Sequence, residues 1–253
     1  MTSGRHGPSA ADHRGSRAPQ FGDGVLFRLT NHVYWLLAME FWLVVASLPS
    51  VAALLLLDRD ASNAILYAIA GAFLGPALAA TLHCARKVIR EQDLDPTRDF
   101  LRGYRLNVAD TLRYWTPAAA VLTVLALNLR LTGTRSSAWD GALETATVAV
   151  AVLGSLWLMN MMVISTSFNF RQRDLARLSV YYLGTTLRIT VGNLSVLFLA
   201  AVLVLLTSDW VLFLCGSLFV YLFARNTADL VKQVEVRFTG PADGASSTEN
   251  TKE

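Results

Sequence analysis

Cysteine is scarce in this chain: Cys84 and Cys215 are the only two in 253 residues. Both fall inside apolar stretches, far apart and without metal-ligand spacing, so each reads as a small packing residue. Charge is scarce too, at 16% of residues against 53% hydrophobic, and the mean hydropathy of +0.41 is too apolar for an ordinary soluble domain of this length. Acidic side chains are almost missing from the long apolar runs, where Glu40 alone lies deep. The sequence signatures of zinc proteases, serine hydrolases, P-loop enzymes and dinucleotide-binding folds are missing as well. No soluble segment is long enough for a βαβ unit, and His6, His13 and His32 have no paired spacing for zinc. The sequence therefore predicts no enzyme, no cofactor and no metal site.

What the chain does have is long apolar runs: Leu26–Leu57, Ala64–Cys84, Tyr114–Leu129, Ala142–Phe168, Val191–Leu206 and Trp210–Phe223. Crossing a hydrocarbon core of about 30 Å takes roughly 20 helical residues. Six crossings occupy about half the chain and leave room for one membrane domain. The segments between the runs alternate between basic-rich and basic-poor, the poor set holding only Arg59, Arg130 and Arg135. Basic side chains resist translocation, so this alternation predicts a multi-pass, all-α bundle of about six transmembrane helices in the cell membrane, with both termini cytoplasmic. The formal charge of +3 then belongs with topology and anionic lipid rather than with nucleic acid. The membrane domain is assigned to residues 22–236, between polar tails at 1–21 and 237–253 that are expected to be disordered.

Within the first run, Pro49 predicts a kink or an end to regular helix, and Ser62 and Asn63 read as helix-starting residues. The second run carries Gly71, Gly75, Pro76 and Ala79, small residues spaced to let two helix backbones approach closely. Asp95 before Pro96 forms a cap and first-turn pair. From there Leu101, Tyr104, Val108 and Leu112 recur at helical spacing with Arg98, Arg102, Arg105 and Arg113 between them. This predicts a basic amphipathic helix lying in the cytoplasmic interface before turning into the third span, with Pro117 marking that turn or a kink just inside it. A similar interfacial helix is expected before the fifth span, around Arg171, Arg173 and Arg177, where Thr186-Leu187-Arg188 echoes Thr111-Leu112-Arg113 as a candidate internal repeat.

Three polar groups form a candidate intramembrane site: Glu40, His83 and Asn160. A carboxylate in lipid marks either an ion or proton path or a buried structural partner, and for Glu40 that partner would be Asn160 or His83. Asn128 and Asn169, like Asn160, are suited to hydrogen bonds between helices. Arg98, Arg102, Tyr104, Arg105 and Asn107 form a candidate docking or lipid-contact surface, although arginines there also serve simply to set topology.

Several of these segments resemble one bacterial family. Ser47-Leu48-Pro49, Ser62-Asn63, Gly75-Pro76-Ala77-Leu78-Ala79-Ala80, Asp99-Phe100, Arg102-Gly103-Tyr104-Arg105-Leu106-Asn107, Arg173-Asp174, Arg177-Leu178 and Tyr181-Tyr182 are similar to the YesL-type integral membrane proteins, domain of unknown function 624, in particular their actinobacterial branch. The resemblance implies a multi-span protein associated with carbohydrate uptake of the ABC type, and it brings no catalytic or binding residues with it. Two functions are expected on this basis. One is an accessory or assembly component that contacts ABC permease subunits or a second copy of itself. The other is a small six-span transporter or channel that uses Glu40.

Overall fold

The computed structural model describes residues 25–58, 60–90, 95–132, 139–168, 171–207, 211 and 214–239, and these form helices and short turns without a strand. The tail at 1–21, residues 240–253 of the other tail, and Arg59, Arg135, Asn169 and Trp210 lie outside the described residues. Nine α-helices follow in order among the described residues: α1 (Val25–Ala46), α2 (Leu48–Leu56), α3 (Ala64–Ile89), α4 (Pro96–Thr132), α5 (Asp140–Ser165), α6 (Gln172–Thr185), α7 (Leu187–Leu206), α8 (Gly216–Asn226) and α9 (Ala228–Thr239). The all-α expectation holds. Two compact units divide the chain, Met1–Tyr34 and Trp35–Glu253, and every contact described below lies within the second.

Among the described residues, three helices are long and apolar enough to cross a membrane: Ala61–Ile89, Gly141–Ser165 and Leu187–Leu206. The bent pair Thr30–Ala46 and Leu48–Leu56 adds a fourth if it counts as one span. Large apolar side chains face outward along these helices, with Phe198 67% and Leu205 83% exposed. Such faces suit lipid rather than water, and the chain is a membrane protein. Of the six expected spans, two are drawn differently. The third apolar stretch is not a separate helix but the second half of α4. The sixth contributes α8, whose 11 residues extend only about 16 Å.

The bend between α1 and α2 is 65° and falls at Ser47, where the hydroxyl donates to the Leu43 carbonyl at 2.7 Å. Pro49 occupies the first turn of α2, a position where its missing N–H costs nothing. The following turn is capped by Asp60, which accepts from Ala61 N at 2.7 Å. Asn63 is not a side-chain cap for α3, because its amide donates back to the Asp58 carbonyl at 2.9 Å.

Helices α3 and α4 form an antiparallel hairpin that aligns four pairs of residues. Lys87 Nζ donates to Asp99 Oδ1 at 2.6 Å, His83 lies against Gly103, Trp115 stands over Gly75, and Gly71 faces Ala119. A Cβ on Gly75 would overlap the Trp115 ring. Trp115 Nε1 donates to the Gly71 carbonyl at 2.9 Å, one residue from Ala72, whose carbonyl loses its own helical donor to Pro76. The small-residue face is therefore occupied inside the chain.

Helix α4 begins as expected, with Asp95 Oδ1 accepting from Arg98 N at 3.3 Å. It then runs unbroken for 37 residues with Pro117 inside it. Pro117, expected to mark a turn or a kink, removes one backbone donor without ending the helix. Helix α6 stands where the second interfacial helix is expected; it buries Leu175, Ser179 and Tyr182 and leaves Arg173 and Arg177 outside. Thr111-Leu112-Arg113 lies within α4, whereas Thr186-Leu187-Arg188 straddles the break before α7, so the two matching sequences differ in local structure. Helix α9 was not foreseen, yet its Leu230, Val231 and Val234 join the core with Leu82, Ile164 and Phe223.

Adding a methyl at Gly75 tests the hairpin. Gly75→Ala is expected to displace Trp115, break its bond to Gly71 and cost about 1–3 kcal/mol. Thermal unfolding in detergent, followed by tryptophan fluorescence, reads both effects; an unchanged Tm with unchanged emission would refute this packing.

Candidate functional site

Glu40 is 7% exposed, on the part of α1 that meets the start of α8. Its Oε2 accepts from the Ser217 backbone N–H at 2.6 Å, and the Ser217 hydroxyl donates to the Leu36 carbonyl at 3.0 Å. Cys215, at the N-cap position of α8, makes no side-chain capping bond. A carboxylate from another helix therefore performs the capping, at the positive end of the helix dipole. Gly216 permits the approach, since a Cβ there would come within 2.7 Å of Leu43 Cδ2. The other carboxylate oxygen, Oε1, has no hydrogen-bond partner among the described residues. Neither Asn160 nor His83 is the partner that the sequence suggested. The overlooked signal was Gly216-Ser217, a helix-starting pair inside an apolar run.

Asn160 has partners of its own. Asn193 Nδ2 donates to Asn160 Oδ1 at 3.3 Å. Asn226 Nδ2 in turn donates to Asn193 Oδ1 at 2.8 Å and to the Ile189 carbonyl at 2.9 Å. This ladder ties α5, α7 and α8 together, and a Cβ on Gly192 would overlap the Asn226 amide. Asn193, itself 1% exposed, and Asn226 were missed in the sequence because each stands alone in its helix.

The basic end of α3 is structural in a similar way. Arg86 donates through Nη1 to Thr166 Oγ1 at 2.9 Å and Ser167 Oγ at 2.6 Å. Its Nη2 donates to the Val163 carbonyl at 2.8 Å, so the guanidinium closes the C-terminal end of α5. His83, Arg86, Lys87 and Arg90 line a cavity of about 270 Å³ together with Thr166 and Glu235. Glu40, His83 and Asn160 thus serve three separate contacts rather than one polar site.

The α4 residues divide by face. Phe100 is buried and stacks between Trp42, at 6.0 Å, and Tyr104, at 6.4 Å between ring centroids. Asn107 donates to the Gly103 carbonyl at 2.8 Å. Tyr104 and Asn107 are accordingly engaged within the chain. Arg98, Arg102 and Arg105 are exposed on the other face, and among the described residues their guanidinium groups form no ion pair.

This hairpin and its arginine row lie within the segment that matches known proteins. Residues 27–129 match the family described as protein of unknown function, DUF624. The match is consistent with the YesL-type resemblance. No curated protein and no solved structure matches the chain. The DUF624 segment contains Glu40 and the row Arg98, Arg102 and Arg105 but ends before Asn160, Asn193 and Ser217, so the carboxylate lies within it and its partner outside.

Glu40→Leu is expected to leave the Ser217 N–H unpaired and cost about 1–3 kcal/mol. Glu40→Gln keeps an acceptor and should cost less, about 0.3–1 kcal/mol. Equal losses in chemical unfolding would argue against a capping role. Asn193→Leu is expected to loosen α7 by about 1–2 kcal/mol and raise amide exchange in α7; unaltered exchange there would exclude the ladder as its tether.

Proposed function

We propose that this membrane protein is a non-catalytic accessory or assembly component, oriented with both termini in the cytoplasm, that docks a partner on the exposed basic face of α4. The observation that carries this reading is the row Arg98, Arg102 and Arg105. These cations have no ion-pair partner among the described residues, on a helix whose opposite face is anchored through Phe100, Asp99 and Gly103. A fixed row of cations steers and selects an acidic surface. The family resemblance supports a subunit of a carbohydrate ABC-type permease as the partner. The small-residue face of α3 is not available for docking, because Trp115 fills it.

The transporter reading rests on another feature. Helix α8 starts inside an apolar stretch and its N-terminus meets a carboxylate, the kind of discontinuous helix that transporters use at their binding sites. Glu40, however, is engaged as the cap of that helix, which favours the accessory role.

Affinity purification from native membranes in mild detergent discriminates between the two. The accessory role is expected to show a permease or its ATPase at stoichiometric levels. Replacing Arg98, Arg102 and Arg105 together by Gln should release it, whereas Glu40→Gln should retain it. Solute flux in liposomes that Glu40→Gln abolishes, with no partner in the eluate, would reverse the assignment. Recovery of the protein only with copies of itself would also count against a permease partner.

A further inference from the structure

A groove of about 460 Å³ runs between α4 and α5. Pro117, Val121 and Leu125 form its α4 wall, and Val150, Gly154 and Trp157 its α5 wall. This part is lined without a charged side chain and opens outward, with Val121 57% and Val150 55% exposed. One end is different: it is lined by Arg113 from α4 and by Gln172 and Arg173 from the first turn of α6.

The charges at that end are only partly engaged. Arg113 Nη1 donates to Asp110 Oδ1 at 3.2 Å, an exposed pair of little worth, and Gln172 Nε2 donates to the Asp110 carbonyl at 3.3 Å. Arg173 is exposed beside Asp174. The arginines stand where the apolar stretch of α4 begins, at the level where a phosphate layer would meet hydrocarbon.

Charge and length favour one occupant. From Arg113 to Leu125, α4 rises about 18 Å, about the depth of one leaflet of a hydrocarbon core about 30 Å thick. An apolar groove of that length with arginines at one end suits an acyl chain carrying an anionic headgroup. Space is open at Gly154, where an added Cβ would meet nothing within 4 Å.

We propose that this groove is a binding site for one anionic glycerophospholipid, its phosphate at Arg113 and Arg173 and an acyl chain along Val121, Gly154 and Trp157. None of these residues belongs to the arginine row or the Glu40 cap, so the site is independent of the docking function.

Native mass spectrometry of the full chain with added dioleoyl phosphatidylglycerol or dioleoyl phosphatidylcholine tests it. The glycerol lipid should be retained in preference. Arg113→Gln with Arg173→Gln should reduce its retention about tenfold or more and leave the choline lipid unchanged, while Gly154→Leu should reduce both by filling the slot. Equal retention of the two lipids by the native chain, or undiminished retention in both variants, would overturn the proposal. Should Gly154→Leu fail to fold, brominated phosphatidylglycerol gives a second reading: the quenching due to Trp157, taken as the difference between the native chain and Trp157→Phe, should fall when Arg113→Gln with Arg173→Gln is introduced, and an unchanged difference refutes the site.

Discussion

The close approach of α3 and α4 at Gly75 is the constraint on which the remaining helices depend. Lipid tails are as apolar as leucine, so helices within a bilayer gain little from hiding apolar surface and are held by close packing and hydrogen bonds. Gly75 allows Trp115 to lie flat on the α3 backbone and to reach the Gly71 carbonyl. Other elements take their positions from this hairpin. Ser50 on α2 donates to the Ala70 carbonyl of α3 at 2.6 Å, Met39 packs with Ala80, Cys84 and Phe100, and Arg86 holds the end of α5.

The polar groups within the apolar helices share one role. Glu40 closes the start of α8, Arg86 closes the end of α5, and the asparagines fasten α7 to its neighbours. Helix ends carry unpaired N–H and C=O groups that water would otherwise satisfy. Where water is excluded, a side chain from a neighbouring helix must do so, and in doing so it determines which helices adjoin. Stability and topology therefore rest on the same few bonds.

Much of this arrangement was legible in the sequence. Apolar runs identified the membrane helices, Pro49 marked the bend after α1, Asp95-Pro96 marked the start of α4, and the small residues of α3 marked a packing face. What escaped was of two kinds. Pro117 suggests a turn or a kink, but a single proline inside a long packed helix need not end it. The partners of Glu40 and Asn160 were missed because Ser217 and Asn193 become neighbours only when distant helices cross, and no spacing along the chain encodes that. Helix α9 escaped because its apolar residues are few and its hydropathy resembles that of a tail.

The length of α4 has a further consequence. At 37 residues it extends about 55 Å, well beyond a hydrocarbon core of about 30 Å. The hairpin that it forms with α3 therefore spans two solvents. Near Gly71 and Trp115 the helices are held by contact in a medium with no hydrophobic drive. Near Lys87, Asp99 and Phe100 they meet in or beside water, where burying Phe100 is favourable and the ion pair feels dissolved salt. Warming, cooling or a change of ionic strength acts on one end of this hairpin and passes over the other, so the same two helices can loosen at the water end while remaining closed in the lipid.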